Sequence, residues 1–164
     1  MTHENLKQLI SEAGIKAIDE EIKHYPADER QSVVMRALTI VQEELNHLTP
    51  QLMDAVAAYL DMSSIAVYEV ATFYSLYEHQ AVGKHIISVC RSISCHLRGA
   101  DNIIKQLEQQ LGVPCGQTSQ NQRFTLKQVE CLGACVDAPM MQIDKDYHKC
   151  LRAESLSEIL ETYN

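Results

Sequence analysis

Hydrophobic positions recur every three or four residues through the first half of the chain, then switch to short β-rich runs. In SEAGIKAIDEEIKHYP, Ile15, Ile18, Ile22 and Tyr25 form one stripe, and Pro26 ends it. In ERQSVVMRALTIVQEELN the stripe is Val34, Leu38, Val41 and Leu45. Thr49 and Pro50 then read as a helix cap and first helical residue, ahead of Leu52, Met53, Val56 and Leu60. A fourth helix is predicted to open near Ser63 or Ser64 and to run through YEVATFYSLY.

Beyond Gly83 the period changes. KHIISVC reads as a strand ending near Cys90, and Ile103, Ile104, Leu107 and Leu111 place a helix between Gly99 and Gly112. RFTLKQV reads as a second strand. PMMQI and HKCL, on either side of Asp144 to Tyr147, read as a hairpin. The closing stretch AESLSEILETY sets Leu156, Ile159, Leu160 and Tyr163 on one helical face. The pattern therefore predicts a helical domain over 1–82, and over 83–164 a small α/β layer ordered β-α-β-β-β-α. No internal repeat or low-complexity segment interrupts it.

Composition narrows the class. The 164 residues are 46% hydrophobic and 22% charged, as in a globular protein with a real core. A net charge of −8 argues against a nucleic-acid partner. The start, MTHENLKQLISEAG, has neither the apolar core of a secretory signal nor the Arg-rich, acid-poor character of a transit peptide. No apolar run reaches the length of a membrane span, so no direct membrane insertion is expected. A cytoplasmic location is the expectation.

The chemistry lies in the cysteines. All six, Cys90, Cys95, Cys115, Cys131, Cys135 and Cys150, fall in the second half. Cytosolic thiols stay reduced, so metal or redox chemistry outranks a disulfide framework. Cys90-x4-Cys95 leaves the predicted first strand, and Cys131-x3-Cys135 leaves the second, with thirty-five residues between the pairs. Neighbouring strands would deliver both pairs to one sheet edge, where each could chelate one iron of a [2Fe–2S] cluster. Structural zinc also takes four thiolates, though its usual knuckle is C-x2-C. A redox dithiol needs C-x-x-C, and a Rieske centre needs two histidines where only His96 is near. Buried free cysteines are the bland alternative. Cys115 and Cys150 lack paired spacing and read as bystanders.

These residues also carry a resemblance. HYPADERQSVVMRALTIVQ, VYEVATFYSLY, VCRSISCHLRGA and F-T-x5-C-L-G-A-C-x2-A-P resemble the thioredoxin-like [2Fe–2S] subunit family of bacterial NADH:quinone oxidoreductases (complex I). Asn121 departs from that pattern, which usually has Asp there. The resemblance implies a thioredoxin-like fold after the helices, with Cys90, Cys95, Cys131 and Cys135 holding one [2Fe–2S] cluster. It further implies an electron carrier whose partners are an NADH- and FMN-binding flavoprotein subunit and a larger iron–sulfur subunit. The assembly would sit peripherally on the cytoplasmic face of the inner membrane. An equivalent subunit of an NAD-linked hydrogenase or formate dehydrogenase is the nearest alternative, and a zinc-stabilised interaction module the more distant one.

A reduced cluster carries more negative charge than an oxidised one, so N–H donors around Leu132, Gly133 and Ala134 would be needed near the sulfurs. Gly99 and Gly133 would let backbone approach closely. Leu132, Val136, Ala138, Pro139 and Met140 are candidates for excluding water. No G-x-G-x-x-G, P-loop or nucleophile motif is present, so this chain is not expected to turn over a substrate alone. Of the aromatic residues, Tyr68, Phe73, Tyr74 and Tyr77 crowd into ten positions; most suit a core helix, leaving one or two to dock a partner.

Overall fold

The computed structural model describes residues 5–163, which divide into two compact units, the first ending at Ala81 and the second beginning at Val82.

The first unit is helical. A short α1 (Leu6–Leu9) precedes α2 (Glu12–Ile22), α3 (Val34–Leu45), α4 (Pro50–Leu60) and α5 (Ser64–Phe73). Ser11 caps α2 by accepting the Gly14 N–H at 3.0 Å, and Glu44 of α3 receives both the Ser11 hydroxyl and its N–H. Thr49 caps α4 through Leu52 N–H at 3.3 Å, with Pro50 at the first helical position. Asn46 and Asp61 end α3 and α4 in the left-handed conformation that these short polar side chains tolerate. Ile18, Leu38, Val41, Val56, Leu60 and Val67 are fully buried in one core. Each contributes about 1.5–3 kcal/mol relative to exposure.

Three expectations are corrected here. The α2 stripe stops at Ile22, leaving Tyr25 40% exposed beyond the helix. Leu45, at the end of α3, is likewise 36% exposed rather than core. The fourth helix ends at Phe73, because Tyr74 turns extended and Gln42 claims the backbone that follows. The Gln42 amide donates to the Leu76 carbonyl at 2.9 Å and accepts from the Glu78 N–H at 2.7 Å. Tyr77 then folds into the core, its hydroxyl on the Met35 carbonyl at 2.9 Å.

The second unit is a four-stranded sheet in the order β2-β1-β3-β4, with helices. β1 (His85–Cys90) pairs in parallel with β2 (Phe124–Val129), from His85 opposite Phe124 to Cys90 opposite Val129. A parallel neighbour requires a crossover, supplied by α6 (Ile93–Leu97) and α7 (Ala100–Leu111). Gly99 and Gly112 bracket α7 at φ +93° and +69°. Ile103, Ile104 and Leu107 of α7 are buried with Ile87 and Val89 of β1 and Leu126 of β2. β3 (Met141–Ile143) runs antiparallel to β1, and β4 (Asp146–His148) closes the sheet. The hairpin is tighter than expected: β4 takes Asp146 to His148 rather than HKCL, leaving Asp144 and Lys145 as a two-residue turn. Helix α8 (Leu156–Glu161) adds Leu156 and Leu160 to the core. Asn121, where Asp was expected, makes the turn before β2 with its carbonyl oxygen, accepting from Ser119 Oγ and the Arg123 N–H.

Candidate metal centre

Parallel pairing fixes the geometry of the thiols. Because β1 and β2 point the same way in register, both strands end together, and the chain leaves each at the same sheet edge. Cys90 is the last residue of β1, and Cys131 lies two residues beyond β2. The Arg91 N–H donates to the Val129 carbonyl at 2.9 Å, so the two exits run side by side.

Helix α6 has no counterpart among the expected elements. It is five residues long, too short to show a stripe, and Ser92 begins it. Cys95 turns inward from it and is 1% exposed, while Ile93 and Leu97 point out at 69% and 77%. Cys90 is equally buried, packed with Cys95, Ala100, Ala138 and Met140. Cys131 and Cys135 are exposed, with sulfurs 3.5 Å apart. Two thiolates on one tetrahedral metal at ~2.3 Å stand about 3.8 Å apart, so this spacing suits one shared ion. No three His, Cys, Asp or Glu side chains among the described residues are grouped as a single ion requires. The thiols are arranged as two pairs.

The two pairs nevertheless lie close enough to influence each other's ionisation. Burial, followed by hydrogen bonding with Cys90, pushes the Cys95 thiol up to about 11; Cys135 of the other pair adds to the effect, and the Met140 backbone opposes it. The Cys135 thiol is pushed up by hydrogen bonding with Cys131 and then by its charge, with a smaller push from Cys90. The Ser94 hydroxyl opposes this, a contact from α6 to the second loop that no spacing in the chain signals. Crowded thiols resist ionising together, and a cation among them removes that resistance while releasing their protons. Four soft donors in two chelating pairs, half buried in apolar packing and half open, fit a binuclear iron–sulfide core.

Of the proposed N–H donors, Gly133 acts on a sulfur: it donates to Cys131 Sγ at 3.3 Å. Gly133 has φ +80°, and a Cβ there or at Gly99 would meet no protein atom within 4 Å. The left-handed backbone, not crowding by protein, is what calls for glycine at both. Ala138 and Met140 are buried against Cys90 and Cys95, and Leu132 is half-buried. Val136 was expected to exclude water and is instead 93% exposed. Cys115 is half-buried, its thiol directed to the Leu126 carbonyl at 3.8 Å. Cys150 is exposed, its N–H on the Asp137 carbonyl just past Cys135.

A family model described as thioredoxin-like [2Fe–2S] ferredoxin matches residues 18–164. The E subunit of the NADH-quinone oxidoreductase of Rickettsia felis is 38% identical over 152 residues, covering 92% of this chain and 91% of the relative. The E subunit numbered 2 of the same oxidoreductase from Rhizobium meliloti is 40% identical over 146 residues, covering 89% and 86%. Among solved structures, an air-oxidised NAD+-reducing [NiFe]-hydrogenase superposes with a TM-score of 0.68 at 18% identity. That match covers 82% of this chain and 24% of the hydrogenase chain, and it speaks to the fold alone.

Proposed function

The chain belongs to the thioredoxin-like [2Fe–2S] ferredoxin family, and from that premise we propose that it is the component of an NADH:quinone oxidoreductase that carries single electrons away from a flavin. Cys90 and Cys95 hold one iron of a [2Fe–2S] cluster, and Cys131 and Cys135 hold the other. The observation that supports this assignment is that the in-register parallel strands set Cys90 opposite Val129, two residues before Cys131, whose sulfur stands 3.5 Å from that of Cys135. When bound, the cluster supplies a reversible one-electron couple and, with only cysteine ligands, no open position for a substrate.

The chain's own residues do the rest. Ala100, Ala138 and Met140 keep water from the Cys90 and Cys95 side, which limits the reorganisation that accompanies electron transfer. The Gly133 N–H offsets negative charge on the Cys131 sulfur. Cys131 and Cys135 are exposed, as are Ile93 and Leu97 of the Cys95 helix and Val136 next to Cys135 in the chain. An apolar surface of this kind beside exposed ligands suits a protein partner and a short electron path. That partner is the flavoprotein that holds FMN and NADH, with the larger iron–sulfur subunit in the same module. No helix among the described residues is long and apolar enough to cross a membrane. The chain's place in the assembly is peripheral, on the cytoplasmic face.

The test is the visible and EPR spectrum of the anaerobically purified chain, with iron and sulfide content. We expect two irons and two sulfides per chain. Cys90→Ser, Cys95→Ser, Cys131→Ser and Cys135→Ser should each lose most of them, while Cys115→Ser and Cys150→Ser lose none. A colourless, zinc-bearing protein overturns the function. A cluster lost with Cys150→Ser but kept with Cys135→Ser overturns the ligand set.

A further inference from the structure

Tyr147 lies in β4, away from every paired cysteine in sequence, yet its hydroxyl donates to the Leu132 carbonyl oxygen at 2.9 Å, inside the Cys131–Cys135 loop. That carbonyl belongs to the same peptide unit as the Gly133 N–H, which donates to Cys131 Sγ at 3.3 Å. A planar trans peptide directs its C=O and N–H oppositely, so a donor that grips the oxygen also sets where the hydrogen points. The grip has something to restrain. Gly133 is at φ +80°, and glycine occupies both signs of φ at little cost, so the preceding peptide can rotate about its ends. Rotation would replace the N–H at the sulfur with a carbonyl dipole of the opposite sense.

We propose that Tyr147 is a positioning residue for electron transfer: it holds the Leu132–Gly133 peptide with its N–H on the Cys131 sulfur, and so raises the reduction potential of the group the thiols bind. The proposal rests on the reading of the two thiol pairs as [2Fe–2S] ligands. An N–H aimed at a ligand sulfur stabilises the reduced, more negative form more than the oxidised one. Tyr147 also strengthens that N–H, because a hydrogen bond accepted by an amide oxygen polarises the amide, by about 10–30% per bond. The electron arrives without a bond being made or broken, so the tyrosine acts on the equilibrium alone.

Tyr147→Phe keeps the ring and removes the hydroxyl. The measurement is a potentiometric titration of the full chain carrying its cluster, followed by visible absorption and the EPR signal of the reduced form. Tyr163→Phe, which removes a hydroxyl from the network of Asp146 and His148, is the comparison. We expect Tyr147→Phe to retain iron and sulfide and to move the midpoint to more negative potential. The shift should correspond to at most about a tenfold change in the oxidised-to-reduced ratio, ~59 mV for one electron. Tyr163→Phe should leave it in place. Incorporating 3-fluorotyrosine at Tyr147, a stronger donor of similar shape, should move the midpoint the other way; it gives the answer if Tyr147→Phe loses its cluster. A midpoint unchanged in Tyr147→Phe, or unmoved by the fluorinated residue, overturns the proposal while leaving the ligand assignment intact. A wild-type chain with no [2Fe–2S] spectrum overturns both.

Discussion

Met140→Ala separates packing from hydrogen bonding at the buried thiols. Met140 is 1% exposed and packs on Cys90, Cys95, Ala100 and Ala138. Its carbonyl accepts the Cys90 N–H at 3.2 Å and its backbone favours the Cys95 thiolate, and truncation leaves both backbone contacts in place. What goes is the apolar side chain beyond Cβ. Burial of this completeness puts the cost within the range of about 2–5 kcal/mol for large-to-small core changes. The neighbouring Leu132 and Ala134 are only partly buried and the adjoining Cys131 and Cys135 thiols are exposed, so the site can settle inward or admit water. That argues for the lower half, about 2–3 kcal/mol. With a urea dependence of about 1 kcal/mol per molar, the midpoint of the second unit should fall by about 2–3 M. The assay is urea unfolding of the reduced, metal-free chain, where cluster loss cannot make the transition irreversible. Transitions of the first unit should not move. In the loaded chain, water beside the sulfurs should raise the reduction potential. A midpoint shift under about 0.5 M, the size of an ordinary surface substitution, would refute the packing argument.

Two further outcomes follow from the second unit. Burial lowers the His148 pKa below its ordinary 6.5 against the opposing pull of Asp146, and the ring bonds the Tyr163 hydroxyl at 2.9 Å, near His85. The unfolded chain takes up that proton first, so stability is full above pH 6.5 and declines as pH falls toward the folded value. Urea midpoints at several pH values should show this slope, and His148→Gln should flatten it; an unchanged slope refutes the assignment. We also propose the two units as separate domains: a fragment beginning at Val82 should keep the [2Fe–2S] spectrum, because it has its own core and metal binding adds folding free energy. It should co-purify with the flavoprotein less well than the full chain, lacking the exposed Ile65, Phe73 and Leu76. A colourless fragment, or one binding the partner at full strength, refutes this.

Helices α3, α4 and α7, and strands β1 and β2, were legible because their signals are local. A stripe, a capping Thr49-Pro50 and a closing Gly112 act within one or two turns and need no distant partner to start or stop a helix. The pairing of Cys131 with Cys135 was legible for a similar reason, since a step of four residues suffices to bring their sulfurs within 3.5 Å. The adjacency of the two pairs was inferred from strand order and now rests on the parallel register of Cys90 with Val129.

Other features depended on contacts between distant positions. Where the fourth helix stops is decided by Gln42, some thirty residues earlier, which binds backbone that would otherwise continue the turn. Five residues are too few for a period, so α6 left no mark on the pattern, nor did the inward turn of Cys95 and the outward turn of Ile93 and Leu97. Val136 and Leu45 are apolar and exposed, because a side chain's fate depends on what the fold brings over it and not on its own hydropathy. The hold of Tyr147 on the cysteine loop joins residues fifteen apart through a hydrogen bond that no spacing encodes. Sequence set which thiols come in pairs and roughly where the chain turns; tertiary structure decided which sulfurs are dry, which face solvent, and which peptide points at them.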